Sequence, residues 1–477
     1  MRLAKLLIAV CAASSLVLLS TQGCGGGGDS TFGAGQDPND PNGGGNGPAF
    51  LDDGGVKGGC VNLQCKQVAC AGGAKTTVSG TVYDPAGNVP LYNVVVYVPN
   101  TKPNAISSGA TCDKCGSVLS GNPVVSALTD AKGHFMLENV PVGDHIPLVM
   151  QVGKWRRQIE IPTVGKCVDT PLTDKNMTRL PRNHNEGDIP LIALTTGGAD
   201  TLECLLRKDK IGLDDAEFTT ETGGGRVHLY AGSGGATNQF ASGGGLTNAE
   251  NVWSSSASLK KYDVVLLSCE GDAYPNTKPA AALQAMLDYT SGGGRVFASH
   301  WHEYWFSNGP MPFPSTGTWN NRRDPQNPAV ATIDTSFPKG VAFRDWMVNV
   351  SGSTTPGQVT ITDPRHNLDA VNVPKGQQWI SLQNQNARNM TAVEYMSFNT
   401  PVDTAPANQC GRVVYSDLHV GAASGDYGSL VATVPNGCST GDLSAQEKAL
   451  EFMLFDLSSC VTPDNQPPPP PPQTGVK

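Results

Sequence analysis

Two short apolar segments of this chain each lead directly into side chains that can do chemistry. Residues 264–267 are followed by Ser268, Cys269, Glu270 and Asp272, and residues 296–298 are followed by Ser299, His300, His302 and Glu303. In an open α/β sheet, ligands bind beyond the carboxyl ends of the parallel strands. We therefore expect both groups of side chains to line one crevice, which locates a functional site without naming its substrate.

One interpretation makes this crevice a hydrolase site with a cysteine nucleophile. Cys269 would need a nearby base, His300 or His419, to form the thiolate that attacks a substrate. These three residues are the candidate catalytic set.

The histidines also suggest a metal site. Zinc and similar ions accept imidazole and carboxylate ligands. The candidate ligands are His300, His302 and His419, with a carboxylate from Glu303 or Asp417. Residues at alternate positions of an extended strand face opposite sides, so His300 and His302 can share an ion only if the chain turns there. We expect no cofactor apart from a divalent metal at this position.

Aromatic side chains beside acidic ones favour the binding of a carbohydrate or another polymer. The candidate binding residues are Glu270, Asp272, Trp301, Glu303, Tyr304 and Trp305, with Trp319 as a further flat face. Ligand pockets combine such faces with a few placed polar groups, and paired carboxylates could act as acid and base in hydrolysis. In the alternative without a site, the aromatic residues fill the core and the histidines are hydrogen-bonded structural residues.

These residues belong to an alternation of strand-like and helix-like segments that begins at Asp188. Segments such as IPLIAL (189–194) and GRVVYSDLHVG (411–421) alternate with helical patterns, which predicts a mainly parallel sheet with an antiparallel edge from the later strands. Ser444 and Glu447 predict a capping box at the start of a terminal helix. Residues 195–198, between the first strand and its helix, are the best candidate for anion binding.

A small β-sandwich is predicted before this domain, over residues 76–165. Strand-like segments recur at short intervals and are separated by turns such as residues 84–87, where proline fixes φ and glycine supplies a positive φ. Trp155 with Arg156 and Arg157 forms either a stacking surface or, as we favour, a packed tryptophan beside solvated arginines. The expected fold class is multidomain: an all-β sandwich followed by a flavodoxin-like, three-layer α/β domain.

Both parts resemble known families. SGTVYDPAGNVPLYNVVVYV and TDAKGHFMLENVPVG resemble the carboxypeptidase regulatory-like (transthyretin-like) domain, whose members are non-catalytic accessory modules. YDVVLLSCEGD, SGGGRVFASHWHE and GRVVYSDLHV resemble the class I glutamine amidotransferase-like fold and, within it, the ThuA-like group. In catalytic amidotransferases a nucleophilic cysteine occupies the turn that here holds His300, as a histidine also does in the ThuA-like group, and His419 lies on the strand of the catalytic histidine. The resemblance therefore argues against glutaminase chemistry.

The chain begins like an exported bacterial protein. Residues 1–24 combine Arg2 and Lys5 with an apolar stretch too short to span a membrane, and they end at Cys24, which resembles the lipidation site of a lipoprotein. The remaining segments are a Gly-rich disordered tether (25–59), a Cys-rich segment (60–75), a linker (166–187), the α/β domain (188–462) and a Pro-rich tail (463–477). We expect a cell-envelope protein held by lipid at a periplasmic or outer-membrane surface.

Charge and cysteine content support this expectation. The formal charge is −9, or −11 without the two basic residues of the leader, and an acidic chain without a basic stripe is a poor nucleic-acid binder.

Of 13 cysteines, 11 remain after Cys11 and Cys24 are set aside. Most should pair in an oxidising compartment, leaving at least one thiol, Cys269 or Cys204. Cys112 and Cys115 predict a small disulfide loop rather than a zinc site.

The expected function is ligand binding at the cell envelope, in the crevice of the α/β domain, with a carbohydrate or surface polymer as the ligand. A hydrolase that uses Cys269 or a histidine–carboxylate site is one alternative. A scaffold without a site is the other.

Overall fold

The computed structural model describes residues 59–115, 119–207, 210–234, 237–419, 433–434, 438 and 441–471. The expected signal segment, the lipidation site at Cys24 and nearly all of the tether lie outside these residues. Within the described part, no helix combines the length and the apolar character needed to cross a membrane.

The first folded part is a β-sandwich, as its alternating strands and tight turns predict. Its strands are β1 (Thr77–Thr81), β2 (Val95–Pro99), β3 (Pro123–Leu128), β4 (His134–Glu138), β5 (Gly143–Val152), β6 (Trp155–Val164) and β7 (Asp169–Leu172). One sheet has the order β4-β1-β7 and the other the order β3-β2-β5-β6. Strand β4 alternates exposed and buried residues, which places Phe135 and Leu137 in the core. Trp155 is buried as expected, but Arg156 is also buried and pairs with Asp188 rather than facing solvent.

The second folded part contains the remaining strands and most of the helices. Its strands are β8 (Ile192–Thr195), β9 (Phe218–Thr219), β10 (Val227–Ala231), β11 (Gln239–Phe240), β12 (Thr247–Asn248), β13 (Val264–Leu267), β14 (Arg295–Ser299), β15 (Gly317–Trp319), β16 (Ala329–Ile333), β17 (Gln358–Ile361), β18 (Leu368–Val371), β19 (Gln377–Asn384), β20 (Met390–Thr400), β21 (Gly411–Ser416) and β22 (Thr433–Val434). The helices are α1 (Lys175–Thr178) in the connection, then α2 (Leu202–Leu206), α3 (Glu250–Trp253), α4 (Ser256–Leu259), α5 (Ala280–Ser291), α6 (Tyr304–Ser307), α7 (Pro338–Asn349) and α8 (Ala445–Ser458).

The main sheet has the order β12-β10-β8-β13-β14-β21-β20-β19-β16-β17, with β9 paired to β10. It is parallel from β12 to β21 and antiparallel beyond β21. This is the mainly parallel sheet with an antiparallel edge that the sequence predicts. The parallel strands β8, β13, β14 and β21 are buried throughout, because helices cover both faces of such sheets.

Helices on the two faces of the sheet make this part a three-layer domain. Helix α5 buries Met286 and Tyr289 in the core on one face, and α8 buries Leu450 and Met453 in the core on the other. The capping box predicted for α8 is confirmed. The Ser444 side chain accepts a hydrogen bond from the Glu447 backbone nitrogen, and the Glu447 side chain accepts one from the Ser444 backbone nitrogen.

The sandwich and the α/β domain share one apolar core on the α8 side of the sheet. The rings of Tyr92 and Phe452 stack with centroids 5.7 Å apart, and those of Trp155 and Phe455 lie 5.7 Å apart. The Trp346 indole nitrogen of α7 also donates to the Pro90 carbonyl at 2.6 Å. The first part is therefore fixed against α7 and α8.

Five disulfides are found among the described residues, and two of them join the sandwich part to the α/β domain. The bonded pairs are Cys60–Cys65, Cys70–Cys167, Cys112–Cys410, Cys115–Cys460 and Cys204–Cys438. The small loop expected between Cys112 and Cys115 is wrong, because each of these cysteines reaches a different cysteine of the α/β domain. Cys269 is free, as expected, and Cys204 is not, because it pairs with Cys438.

A buried ion-pair network joins β21, α7, α8 and the tail. Arg412 donates to Asp456 and Asp464 at 2.7 Å each, and Lys339 donates to Asp456 at 2.9 Å. Burial alone would raise the pKa of Asp464, but Arg412 and Lys339 lower it to about 2.

Replacing Arg412 by alanine should lower the free energy of unfolding by about 3–5 kcal/mol, because two buried carboxylates lose their main partner. Denaturant titration measures this loss. The matched Arg344→Ala, on a partly exposed surface of α7, should change stability by no more than about 0.5 kcal/mol. Equal effects of the two substitutions would contradict the prediction.

Candidate functional site

Three predicted side chains meet at the carboxyl ends of β13, β14 and β21, which are neighbours in the sheet. The Cys269 sulfur lies 3.4 Å from His300 Nδ1, and His300 Nδ1 lies 3.0 Å from His419 Nε2. All three atoms are within 4.8 Å of one another. Cys269 is 0% exposed and the two histidines are each 6% exposed, so the cluster lies beneath the surface.

A tight turn directly after β14 directs His300 into this cluster. His300 has a φ of +41°, and the chain then continues as a 3-10 turn over His300–Glu303. A positive φ is uncommon outside glycine and costs about 1–3 kcal/mol. The Tyr415 hydroxyl, which donates to the His300 carbonyl at 3.0 Å, helps to hold the turn.

Asp200 supports the cluster from the loop after β8. Its Oδ2 accepts from the Cys269 backbone nitrogen at 3.1 Å and from the Ser299 hydroxyl. A Cβ on Gly197 would lie 2.2 Å from the Cys269 carbonyl oxygen, so the 195–200 loop packs directly on Cys269. Residues 195–198 therefore position a neighbouring backbone, and anion binding by this segment stays a prediction.

Burial sets the protonation states of the three converging groups. It lowers the pKa of His300 well below 6.5, with His419 and Arg365 adding to the effect, and it also lowers the pKa of His419. It raises the pKa of the Cys269 thiol, and the Asp200 charge raises it further. Near neutral pH the site thus holds two neutral imidazoles, the form that binds metals, and a thiol that is not poised as a nucleophile.

His302 does not join the cluster. Its Nε2 lies 2.9 Å from the Ser268 carbonyl oxygen, and its Nδ1 accepts from the Trp305 indole at 3.0 Å. Both ring nitrogens are therefore used within the core, and burial lowers the pKa of His302 to about 4. The metal set expected from the sequence is corrected accordingly: Cys269, and not His302, completes the group with His300 and His419.

Two of the candidate carboxylates have other roles. Glu270 is buried, where it accepts from Lys278 Nζ at 2.6 Å and from the Ser233 backbone at 2.7 Å. Asp272 is exposed and accepts from the adjacent Ala273 nitrogen. Neither makes a hydrogen bond to the cluster among the described residues.

Two further carboxyls lie close to the site: Asp417 is fully buried and Glu303 is partly buried. Burial raises the pKa of each to about 7. The Ser307 hydroxyl donates to Glu303, and the Asn367 backbone donates to Asp417 at 2.7 Å. The Tyr415 hydroxyl oxygen lies 2.8 Å from Asp417 Oδ1 and shares its single proton between this carboxyl and the His300 carbonyl. Both carboxyls therefore have protein partners within the described part of the chain.

The aromatic candidates divide between the core and the rim. Trp305 is fully buried, and its ring centroid lies 5.2 Å from that of Trp253. Trp301 is partly exposed, and its ring centroid lies 5.0 Å from that of His300. Tyr304 and Trp319 are also partly exposed, but both pack against the core. Of these candidate binding residues, Trp301 is therefore the one whose ring lies beside the cluster.

Sequence reasoning missed Asp200 and Arg365. Asp200 follows β8, so the rule that located Cys269 and His300 also applies to it. Arg365 donates to Asp324 at 2.7 Å, and its charge helps to lower the pKa of both clustered histidines. It comes from a loop that no strand-end pattern marks.

A buried acid near Asp200 gives a pH-dependent prediction. Burial raises the pKa of Glu203 from 4.5 to about 7, and one carboxylate oxygen has no hydrogen-bond partner among the described residues. Because the folded state binds this proton more tightly, the stability that Glu203 contributes is fully present below about pH 4.5 and is lost as the pH rises through about 7.

The Glu203→Gln side chain stays neutral at every pH. The free energy of unfolding of this variant should therefore rise relative to that of the wild type by up to about 1.4 kcal/mol per pH unit across that window. Urea unfolding of both proteins between pH 4.5 and 8 measures the difference. A difference that is independent of pH would contradict the prediction.

Comparisons with known proteins give few matches. No family model matches the chain, and no curated protein matches it. Among solved structures, a ThuA-like protein from Bacteroides uniformis is 12% identical, with a TM-score of 0.29, over 48% of this chain and 80% of that one. A type II cohesin–X-dockerin complex from Acetivibrio cellulolyticus is 16% identical, with a TM-score of 0.16, over 26% of this chain and 78% of that one. Scores this low carry no argument about the site.

Proposed function

We propose that Cys269, His300 and His419 bind a divalent transition-metal ion, with zinc as the best fit, and that the ion acts on a ligand entering the crevice. The observation that carries this proposal is the convergence of one sulfur and two imidazole nitrogens. Tetrahedral zinc with ordinary bond lengths places such ligand atoms about 3.3–3.6 Å apart. The contact between Cys269 and His300 is 3.4 Å, within this range, and the contact between His300 and His419 is 3.0 Å, so the two imidazoles would separate by about 0.3 Å to hold the ion.

The chemistry of the donors supports the same ion. Thiolate and neutral imidazole together suit zinc. A metal ion deprotonates a coordinating thiol, which would offset the burial that otherwise keeps Cys269 protonated. Three protein ligands leave a fourth position for water or substrate, where the ion would supply a Lewis acid and a hydroxide near neutral pH.

We propose hydrolysis of a carbohydrate or cell-surface polymer as the reaction. Trp301 supports this ligand class, because a flat aromatic face beside a polar centre suits a sugar ring. The five disulfides among the described residues support a location in the cell envelope. Lipid anchoring at Cys24 would hold the protein at its membrane surface.

Ligand binding without catalysis is the second candidate. It is favoured by the partial exposure of Trp301, which offers an accessible flat face for a ligand beside the cluster. This candidate needs the same crevice but no bound water.

Both candidates are tested with purified protein and a panel of bacterial and plant polysaccharides. We expect hydrolysis that a chelator abolishes and added zinc restores, and we expect Trp301→Ala to weaken substrate binding. Trp319 packs against the core, so Trp319→Phe serves as the aromatic control. Binding that depends on Trp301 but persists in chelator, without hydrolysis, would favour the second candidate.

A further inference from the structure

A separate polar cavity of about 260 Å³ lies at the junction of the sandwich and the α/β domain. Its lining includes Ser107, Ser108, Lys154, His184, Asp188 and Arg226. None of these residues belongs to the metal cluster or its supporting loop. The cavity is below the usual size of drug-like pockets, so it fits a ligand no larger than a few functional groups on a small ring.

The cavity has one charged wall, which hydrogen bonds hold in place. Lys154 is 8% exposed, and its ammonium donates to Asp263 and to the Gly109 carbonyl at 2.7 Å each. The second oxygen of Asp263 accepts from the Leu191 backbone at 2.6 Å. This pair is neutral as a unit and is held by both folded parts, so it forms a fixed side of the cavity.

The other groups include donors without acceptors. Arg226 uses Nε to donate to the Ile189 carbonyl at 2.9 Å, while its two terminal nitrogens make no hydrogen bond within the described residues. The hydroxyls of Ser107 and Ser108 likewise have no partner there. The terminal nitrogens of a guanidinium match the two oxygens of a carboxylate.

Asp188 adds an acceptor. Its Oδ2 takes the hydrogen bonds from Arg156, at 2.9 and 2.8 Å, and its Oδ1 has no partner among the described residues. A ligand that pairs with these groups must therefore donate hydrogen bonds as well as accept them. A hydroxyl group does both.

We infer that this cavity binds a small hydroxylated acid, such as a sugar acid, whose carboxylate meets Arg226 and whose hydroxyls meet Asp188 and the two serines. The site draws its walls from both folded parts. Occupancy should consequently stabilise their association as well as bind the ligand.

Isothermal titration calorimetry of the full mature chain, at constant ionic strength, tests the inference. Glucuronate is the probe that carries both features, glucose carries the hydroxyls alone and acetate carries the carboxylate alone. We expect glucuronate to bind one site per chain and to bind at least about tenfold more tightly than either partial probe.

Arg226→Gln should weaken glucuronate binding by about tenfold or more, since a charge-assisted pair is lost. Arg323→Gln removes the same charge from an exposed position outside the cavity and should leave binding unchanged. Because Arg226 also contacts the backbone, the double variant Ser107→Ala/Ser108→Ala provides a second test on an exposed loop and should weaken binding several-fold. No binding of glucuronate, equal binding of glucose, or equal loss in the Arg323 variant would overturn the inference.

Discussion

Replacing His419 with alanine should remove the metal ion that we propose. Wild-type protein prepared with zinc should retain about one ion per chain after dialysis, and the variant should retain almost none, because two ligands bind zinc far more weakly than three. Plasma mass spectrometry of the purified proteins measures the metal content. Zinc at about a hundredfold excess over its Kd should also add about 2.7 kcal/mol to the unfolding free energy of the wild type, but not of the variant.

Two other histidines serve as controls for this experiment. His134→Ala changes an exposed residue of β4 and should leave both zinc content and stability unchanged. His302→Ala should keep the zinc but lose about 1–3 kcal/mol of stability, because it leaves the Trp305 indole without its acceptor in the core. Wild-type protein without stoichiometric metal, or a His419 variant that retains it, would refute the metal site.

Removing the disulfide between Cys112 and Cys410 should cost about 3–5 kcal/mol of stability. The bond closes 298 residues of chain, and a long closed loop restricts the unfolded state strongly. Serine replaces both cysteines, so that no unpaired thiol is left. Guanidinium unfolding under non-reducing conditions measures the loss.

The Cys60–Cys65 bond is the matched control, because it joins residues only five positions apart and so closes a very short loop. Its removal should cost about 2 kcal/mol or less in the same chain-entropy model. Removing Cys115–Cys460 as well as Cys112–Cys410 should cost less than twice the single loss, since the two closed loops overlap. Similar losses from the short and the long crosslink would show that unfolded-state restriction is not the main effect.

The rule about strand ends predicted much of the candidate site. Cys269, His300 and His419 come from three segments distant in sequence, yet each follows or lies near the end of a buried parallel strand. Adjacent strands of one sheet bring such ends together whatever the chain length between them. The positions could therefore be predicted without knowing any contact.

The orientation of side chains past a strand end could not be predicted in the same way. His300 points into the cluster because its φ is +41°, and the 3-10 turn that follows sends His302 into the core. A continuing strand would have placed them differently. The choice between His302 and Cys269 as third member of the group depended on that single turn.

The disulfide pairing also could not be predicted from neighbouring residues in the sequence. Cys112 and Cys115 are close in sequence, which favoured a bond between them. Their actual partners come from the start of β21 and the end of α8, and only the packing of the sandwich on the α/β domain brings these cysteines within bonding distance.

The stacking of Tyr92 on Phe452 and of Trp155 against Phe455 has an evolutionary consequence. Transfer of the sandwich to another protein would remove an aromatic face from the helix that completes the larger domain. A lineage carrying this protein could not exchange its amino-terminal half for an unrelated one without first replacing those rings. The two halves should accordingly be inherited together and accumulate compensating changes across their boundary.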